Sequence, residues 1–222
     1  MKKLIAGLLL LSAGFASAAE IAGNVALTTD YRFRGISQTD RDPAVQGGFD
    51  IAFENGLYAG TWASSIQYGG SVEMDFYGGW VKEFNDDVSL DLGYMYYYYP
   101  SDNSDPDLDL QEFYAKLGFY GATVGVIYSD DYFAKSGEFW YLFGDYSVPL
   151  GEQFSLDLHV GYNELDGDQN FVSNYFDYSI GVSTSVFGAD LSLAYVDTDV
   201  SNSDCGDKLC EGSAVFTISK SL

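Results

Sequence analysis

The feature that most constrains this chain is an alternation of apolar and polar side chains with a period of two residues. Successive side chains of a β-strand point to opposite faces, so the alternation predicts strands with one apolar and one polar face. In residues 88–99 the apolar face consists of Val88, Leu90, Leu92, Tyr94, Tyr96 and Tyr98. The same period continues in residues 154–163 and 176–183, without a convincing amphipathic helix between such segments. The sequence therefore predicts an all-β fold.

Twelve segments carry this pattern, and the connections between them alternate in length. Their predicted bounds are 21–34, 44–54, 57–68, 71–84, 88–99, 108–120, 122–132, 138–148, 154–164, 173–186, 189–199 and 213–222. Tight turns follow the even-numbered segments, at 55–56, 85–87, 121, 150–152 and 187–188. Longer polar loops follow the odd-numbered segments, except at residues 69–70. An even strand count with both termini on the turn side predicts a transmembrane, antiparallel, up-and-down β-barrel of about twelve strands.

A soluble β-sandwich shows the same alternation, so other features have to separate the two classes. The predicted strands are about 10 to 14 residues long. Crossing a tilted bilayer takes about 9–11 residues, whereas strands of ordinary sheets have about 5–6. Tyr and Phe also crowd the predicted strand ends, as in residues 94–99 and 128–133, where an aromatic girdle would meet lipid headgroups. Strand length and aromatic placement both favour the membrane barrel.

Residues 1–18 predict export. Lys2 and Lys3 precede an apolar run that is too short to span a bilayer, and residues 16–18 have the small side chains of a signal peptidase site. The chain thus divides into a signal peptide, 1–18, and a barrel domain, 19–222. Without the two lysines of the signal peptide, the formal charge of −23 becomes −25. Such a charge argues against nucleic acid as a partner and leaves outer-membrane lipids and small solutes.

Cys205 and Cys210 are the two cysteines of the chain. An exported chain meets an oxidising compartment, so the pair predicts a disulfide within a loop. Zinc would need further Cys or His ligands, and the single histidine, His159, is distant in sequence. No metal or cofactor site is therefore predicted. Two acidic loops do not fit the EF-hand pattern and are interpreted as solvated charge; they contain Asp102, Asp105, Asp107 and Asp109, and Asp166 and Asp168.

If the apolar side chains of each strand face lipid, the opposite set faces the barrel interior. On the first predicted strand, Tyr31 and Phe33 are then expected against lipid. The predicted pore-lining residues are Asp30, Arg32, Arg34, Asp50, Glu73, Asp75, Asp91, Glu112, Lys116, Asp157, His159, Asp177 and Asp190. Their excess of acids predicts an interior that attracts cations. The alternative is that these acids and arginines pair with one another and fill a narrow barrel.

The opening third of the chain resembles a known family. Residues 28–40, TTDYRFRGISQTD, and 43–64, PAVQGGFDIAFENGLYAGTWAS, are similar to the opening of the proteobacterial TorF family of porins, also called the Gcw_chp family of unknown function. The resemblance implies an outer-membrane location and a passive channel. Outer-membrane barrels commonly end in a strand with a terminal aromatic that the barrel-assembly machinery reads. Here the last strand contains Lys220 and ends in Leu222, so it departs from that signal.

The main functional hypothesis is a porin, a passive diffusion channel for small cationic or neutral solutes. A membrane-embedded enzyme, such as a lipid hydrolase or lipid-modifying enzyme centred on His159, is one alternative. No GxSxG or HExxH motif accompanies this histidine, so no catalytic residue is predicted. A non-conducting structural or adhesion barrel is the other alternative.

Overall fold

In a computed structural model, the chain forms a closed antiparallel barrel of twelve strands. The structure describes residues 19–68, 70–165, 172–206 and 208–222. The predicted signal peptide, Asp166 and Asp168 lie outside the described residues. The strands are β1 (Glu20–Thr28), β2 (Arg32–Phe33), β3 (Ile36–Ser37), β4 (Ala44–Ala52), β5 (Leu57–Ser65), β6 (Val72–Asn85), β7 (Val88–Tyr98), β8 (Leu110–Phe119), β9 (Ala122–Ser129), β10 (Phe139–Leu150), β11 (Phe154–Leu165), β12 (Tyr175–Val186), β13 (Ala189–Thr198) and β14 (Ser213–Ser221).

Helical structure in the described ranges is limited to two short segments in loops. A 3₁₀ turn covers Phe133–Lys135, and a one-turn helix, α1, covers Asn202–Cys205. No helix among the described residues is long and apolar enough to cross a membrane.

The barrel closes where its first strand meets its last. From β4 to β14 each strand pairs with its neighbours in sequence, while β1 pairs with β4 on one side and β14 on the other. The closing register runs from Asn24 opposite Ser221 to Thr28 opposite Thr217. Closure leaves no strand edge with unpaired backbone groups, which is the condition for a sheet to exist within hydrocarbon. The predicted all-β barrel of twelve strands is confirmed.

Large apolar side chains cover the outside of the wall. On β11 and β12 the exposed residues include Val160, Phe176 and Ile180, which alternate with inward polar residues. A protein in water buries side chains of this kind, so their number on the outer face identifies the wall as a surface suited to hydrocarbon. The interior, by contrast, holds the buried charged groups.

The chain between β1 and β4 departs from the predicted arrangement. The predicted first strand ran to residue 34, but β1 ends at Thr28 and residues 29–43 fold into the barrel; we call them the inward segment. The Tyr31 hydroxyl donates to the Glu73 carboxylate at 2.7 Å, and the Phe33 ring packs edge-on against Tyr97. The expectation that Tyr31 and Phe33 face lipid was therefore wrong, because both find partners inside the barrel.

Replacing Val160 with arginine tests the assignment of the outer face. Val160 is 51% exposed near the middle of β11, so the new charge would lie in hydrocarbon. We expect the free energy of unfolding, measured by urea titration of protein refolded in lipid vesicles, to fall by about 2–4 kcal/mol. The matched control, Val160→Leu, keeps the side chain apolar and is expected to unfold close to the wild type. Equal stability of the two variants would contradict the assignment.

Candidate functional site in the barrel interior

The inward segment is organised as a small hairpin. Phe33 lies opposite Ile36 in the pairing of β2 with β3, and Arg34 and Gly35 form the turn between them. Gly35 has φ of +80°, and a Cβ atom there would lie 2.9 Å from the Cβ of Asp177. Glycine thus supplies both the left-handed backbone and the close approach to the wall. The hairpin turn consequently lies against the inner surface of the barrel.

Arg34, at the tip of the hairpin, is almost fully buried. Its Nη2 donates to Oε1 of Glu112 at 2.7 Å, and its Nη1 donates to the Tyr132 hydroxyl at 3.1 Å. The guanidinium carbon lies 4.5 Å from the ring centres of Phe33 and Phe139. Burial raises the pKa of the Tyr132 phenol to about 12, although the nearby arginine opposes this, so the phenol remains neutral near pH 7.

Buried carboxyl groups surround the inward segment. Glu73 accepts hydrogen bonds from the hydroxyls of Tyr31 and Tyr99, both at 2.7 Å, and Glu112 accepts one from Tyr97 at 2.9 Å. Asp75 is 5% exposed, and its Oδ1 has no hydrogen-bond partner in the described structure. Burial, followed by the charge of Glu73, raises the pKa of the Tyr31 phenol well above its usual value, so this phenol stays protonated as a donor. Tyrosine hydroxyls thus satisfy acids that outnumber the nearby arginine.

Arg32 fastens the inward segment to the loop before β14. Its Nε pairs with Oδ2 of Asp30 at 2.6 Å, and its Nη1 donates to the carbonyls of Leu209 and Glu211 at 3.0 and 3.1 Å. The backbone N–H of Ser37 also donates to the Leu209 carbonyl at 2.9 Å. These bonds join two loops that lie far apart in sequence.

The same loop carries the disulfide predicted from its cysteines. Cys205 and Cys210 are bonded, with their Cα atoms 5.8 Å apart. Both cysteines are buried in one apolar cluster with Ile36 of the hairpin and with Val172 and Tyr175. The crosslinked loop therefore packs directly against the inward segment. The predicted disulfide is confirmed.

A cavity of about 290 Å³ adjoins the hairpin in the barrel interior. Its walls combine aromatic rings with charges of both signs. The lining residues are Phe33, Arg34, Met95, Tyr97, Glu112, Tyr114, Lys116, Ile127, Tyr141, Phe143, Asp145 and His159.

Aromatic side chains in this part of the interior reach across neighbouring strands to carboxylates. The Tyr58 hydroxyl donates to Asp91 at 2.6 Å, and the Tyr77 hydroxyl donates to Asp50. Tyr77 crosses Gly60, where a Cβ atom would lie 2.5 Å from the tyrosine ring. The missing side chain at Gly60 lets the ring approach the wall closely instead of projecting further into the interior.

His159 is held between two carboxylates. Its Nδ1 lies 2.6 Å from Oδ1 of Asp145, and its Nε2 lies 2.8 Å from Oδ1 of Asp177 and 2.9 Å from the Tyr141 hydroxyl. This arrangement suits a positively charged imidazole that neutralises neighbouring acids. Within the described ranges, no Ser or Thr hydroxyl bonds to His159, and no group of three or more His, Cys, Asp or Glu is arranged to hold a metal ion.

The predicted pore-lining residues fall into two groups. Six are buried in the part of the interior that holds the inward segment: Asp30, Arg34, Glu73, Asp75, Glu112 and Asp177. Arg32 joins them through its contacts with the loop before β14. The second group consists of the remaining predicted residues, which are not fully buried, namely Asp50, Asp91, Lys116, Asp157, His159 and Asp190. Within this group, Lys116 lies over the Tyr114 ring at 4.4 Å, Asp157 accepts from Ser147 at 2.7 Å, and Asp190 accepts from Ser185.

Sequence reasoning missed Asp145 and Tyr141, both on β10. This strand carries large apolar or aromatic residues on both faces in its first half, so alternation does not indicate which face is inward. The signal that was present is Asp145 itself, which is two residues from Phe143 and four from Tyr141 and therefore shares their face.

A closed wall with an apolar outer face and a polar, charged interior defines the class of transmembrane β-barrels. The solved structures that share the fold include two porins. The KdgM porin superposes with a TM-score of 0.57 at 10% sequence identity, covering 90% of this chain and 96% of that chain. The NanC porin superposes with a TM-score of 0.54 at 9% identity, covering 90% and 98% respectively.

The sequence itself places the protein more narrowly. The chain belongs to the Gcw_chp family, described as bacterial proteins of unknown function, whose model matches residues 12–222. No protein of curated function matches the chain.

Two of the three arginine ion pairs of the inward segment, those of Arg34 and Arg41, should differ in their contribution to stability. Arg34→Ala leaves Glu112 buried without its cation, and we expect the free energy of unfolding to fall by about 3–5 kcal/mol. Arg41 pairs with Glu211 at 2.8 Å, but the two side chains are 30% and 42% exposed. Arg41→Ala is therefore expected to cost less than about 1 kcal/mol. Denaturant titration of both variants measures the difference. Equal losses of unfolding free energy would show that the pairing of Glu112 with Arg34 contributes no more to stability than the pair of Arg41.

Proposed function

We propose that this protein is an outer-membrane porin, a passive diffusion channel whose path runs through the barrel interior and is narrowed by the inward segment. The proposal is supported mainly by the position of the cavity. The cavity lies inside a barrel whose outer face is apolar, and charged side chains line it: Arg34, Glu112, Lys116, Asp145 and His159. A water-filled interior is the natural place for charged side chains in a membrane barrel. The fold shared with two porins and the resemblance of residues 28–40 to the TorF porins support the same function.

The proposed location follows from the surface of the barrel. Apolar side chains on the outer face match a hydrocarbon layer, and both ends of the described chain lie on the turn side of the barrel. Export would depend on residues 1–18, and insertion on recognition of β14 by the barrel-assembly machinery. Outer-membrane lipids would then contact the wall directly.

The charge of the interior supports a preference for cationic or neutral solutes. Acids outnumber bases among the residues that face inward, and a narrow path with low-dielectric walls strengthens the field of such an excess. A KdgM structure is described as a complex with disordered oligogalacturonate, which is an acidic saccharide. We propose that the acid-rich interior of the present barrel favours cationic or neutral solutes over anionic ones.

A channel accounts for His159 better than an enzyme does. Both ring nitrogens contact carboxylates, and Nε2 also contacts the Tyr141 hydroxyl. A general base needs one ring nitrogen directed at the proton that it removes. We therefore propose that His159 lines the path and balances the charges of Asp145 and Asp177.

Planar-bilayer recording tests the channel and its selectivity together. We expect the purified wild-type protein to give discrete conductance steps, with reversal potentials in a salt gradient that favour cations, because acids dominate the interior. Silent bilayers across several independent preparations would overturn the channel. Reversal potentials that favour anions would overturn the charge preference alone.

Arg32→Ala tests whether the inward segment narrows the path. Loss of this side chain removes bonds to Asp30 and to the carbonyls of Leu209 and Glu211, so the segment should spend more time away from its docked position. We expect the mean single-channel conductance to rise by roughly twofold or more, since a segment released from its contacts samples open states. Arg41→Ala, which removes a partly exposed pair in the same segment, serves as the matched control. A conductance unchanged in both variants would contradict the proposed constriction.

A further inference from the structure

The side chain of Arg34 occupies a cage built by the barrel. We define the guanidinium cage as Glu112 on β8, Phe139 and Tyr141 on β10, and Tyr132 in the loop before β10. The guanidinium carbon lies 4.5 Å from the ring centre of Phe139, 4.7 Å from that of Tyr141 and 5.7 Å from that of Tyr132. The carboxylate of Glu112 lies 2.7 Å from Nη2. Three aromatic rings and one carboxylate therefore surround a single cationic group.

This set of side chains has the chemistry of a receptor for a flat organic cation. Aromatic faces attract cations through the ring quadrupole, and the attraction strengthens when water is excluded. A guanidinium is planar and weakly hydrated, and it suits a site that offers both ring faces and a carboxylate. With Arg34 in place, Phe139 and Glu112 are among the most deeply buried side chains described, so these two cage residues have little contact with solvent.

The cage is also adjacent to the proposed solute path. Glu112 and Tyr141 line the interior cavity as well as the cage. A solute in the cavity would therefore lie beside the cage, next to Arg34, which lines the same cavity. The cage residues lie outside the inward segment, and three of them, Glu112, Phe139 and Tyr141, are on wall strands.

The hairpin that carries Arg34 has little structure of its own. Its two strands contain two residues each, and their pairing consists of Arg32 with Ser37 and Phe33 with Ile36. A hairpin this short is not stable without external contacts. The Arg34 contacts with the cage are therefore part of what holds the segment in place, together with the bonds to the loop before β14.

We propose that the guanidinium cage is a binding site for the guanidinium, or a similarly flat organic cation, of a solute, and that Arg34 fills it as a tethered ligand in the closed barrel. The inference rests on the proposed channel and names the chemical class that the channel would recognise. A solute cation that replaces Arg34 would keep Glu112 paired while releasing the hairpin tip. Exchange of one cation for another avoids the cost of leaving the carboxylate buried and unpaired.

Isothermal titration calorimetry with n-propylguanidinium, which reproduces the arginine side chain from Cβ outward, tests the site directly. Arg34→Ala protein in detergent is expected to bind one equivalent, because the substitution empties the cage. Wild-type protein is expected to bind at least about tenfold more weakly, because Arg34 competes for the site. In Arg34→Ala/Glu112→Gln the affinity should fall by roughly tenfold or more, since a neutral amide oxygen replaces the charged acceptor. Urea, which is planar but neutral, is the matched probe and should show no saturable binding.

The outcomes separate the cage from the channel. Absence of saturable binding to Arg34→Ala, or equal binding after Glu112→Gln is added, would overturn the cage. If Arg34→Ala fails to refold, Arg34→Gln, which retains a polar side chain, takes its place in the same titrations and is judged by the same results. Binding of n-propylguanidinium by a protein that never conducts would support the cage and contradict the channel. Conductance without binding of n-propylguanidinium would support the channel and contradict the cage.

Discussion

The pairing of β1 with β14 is the constraint on which the rest of this structure depends. Every backbone N–H and C=O that faces hydrocarbon must have a partner within the sheet, so the sheet has to close. Closure at twelve strands gives an interior wider than that of a packed eight-stranded barrel and narrower than that of a large porin. Wall side chains alone do not fill such a space. Here the inward segment fills part of it, and a cavity remains beside the segment.

The interior tolerates its excess of acids because tyrosine hydroxyls and a few cations are distributed among them. Glu73 receives two phenol hydrogen bonds, and Glu112 receives one together with Arg34. His159 lies between Asp145 and Asp177. A phenol satisfies a carboxylate without cancelling its charge, so the interior can be both well bonded and negative. This combination links the tyrosine-rich composition to the proposed cation preference.

The wall was predictable from the sequence, whereas the contents of the interior were not. Alternation and turn length are local properties, and they identified the barrel strands and their connections. Residues 31–34 also alternate, yet Arg32 and Phe33 pair with Ser37 and Ile36 of their own hairpin and not with the wall. A period of two indicates extended backbone but does not indicate which partner completes the pairing. The contacts of Arg34 with Glu112 and with the rings of β10 depend on tertiary placement, so spacing in the sequence does not reveal them.

The inward segment and the loop that fastens it lie on either side of the seam where the barrel closes. One directly follows β1 and the other directly precedes β14, so the contact of Arg32 with Leu209 spans 177 residues of sequence. These two loops approach each other only after the first and last strands have met. Docking of the hairpin is therefore tied to closure of the barrel. Without the pairing of β1 with β14 the interior would lack these contacts, so one strand pairing both completes the wall and positions the segment that narrows the proposed path.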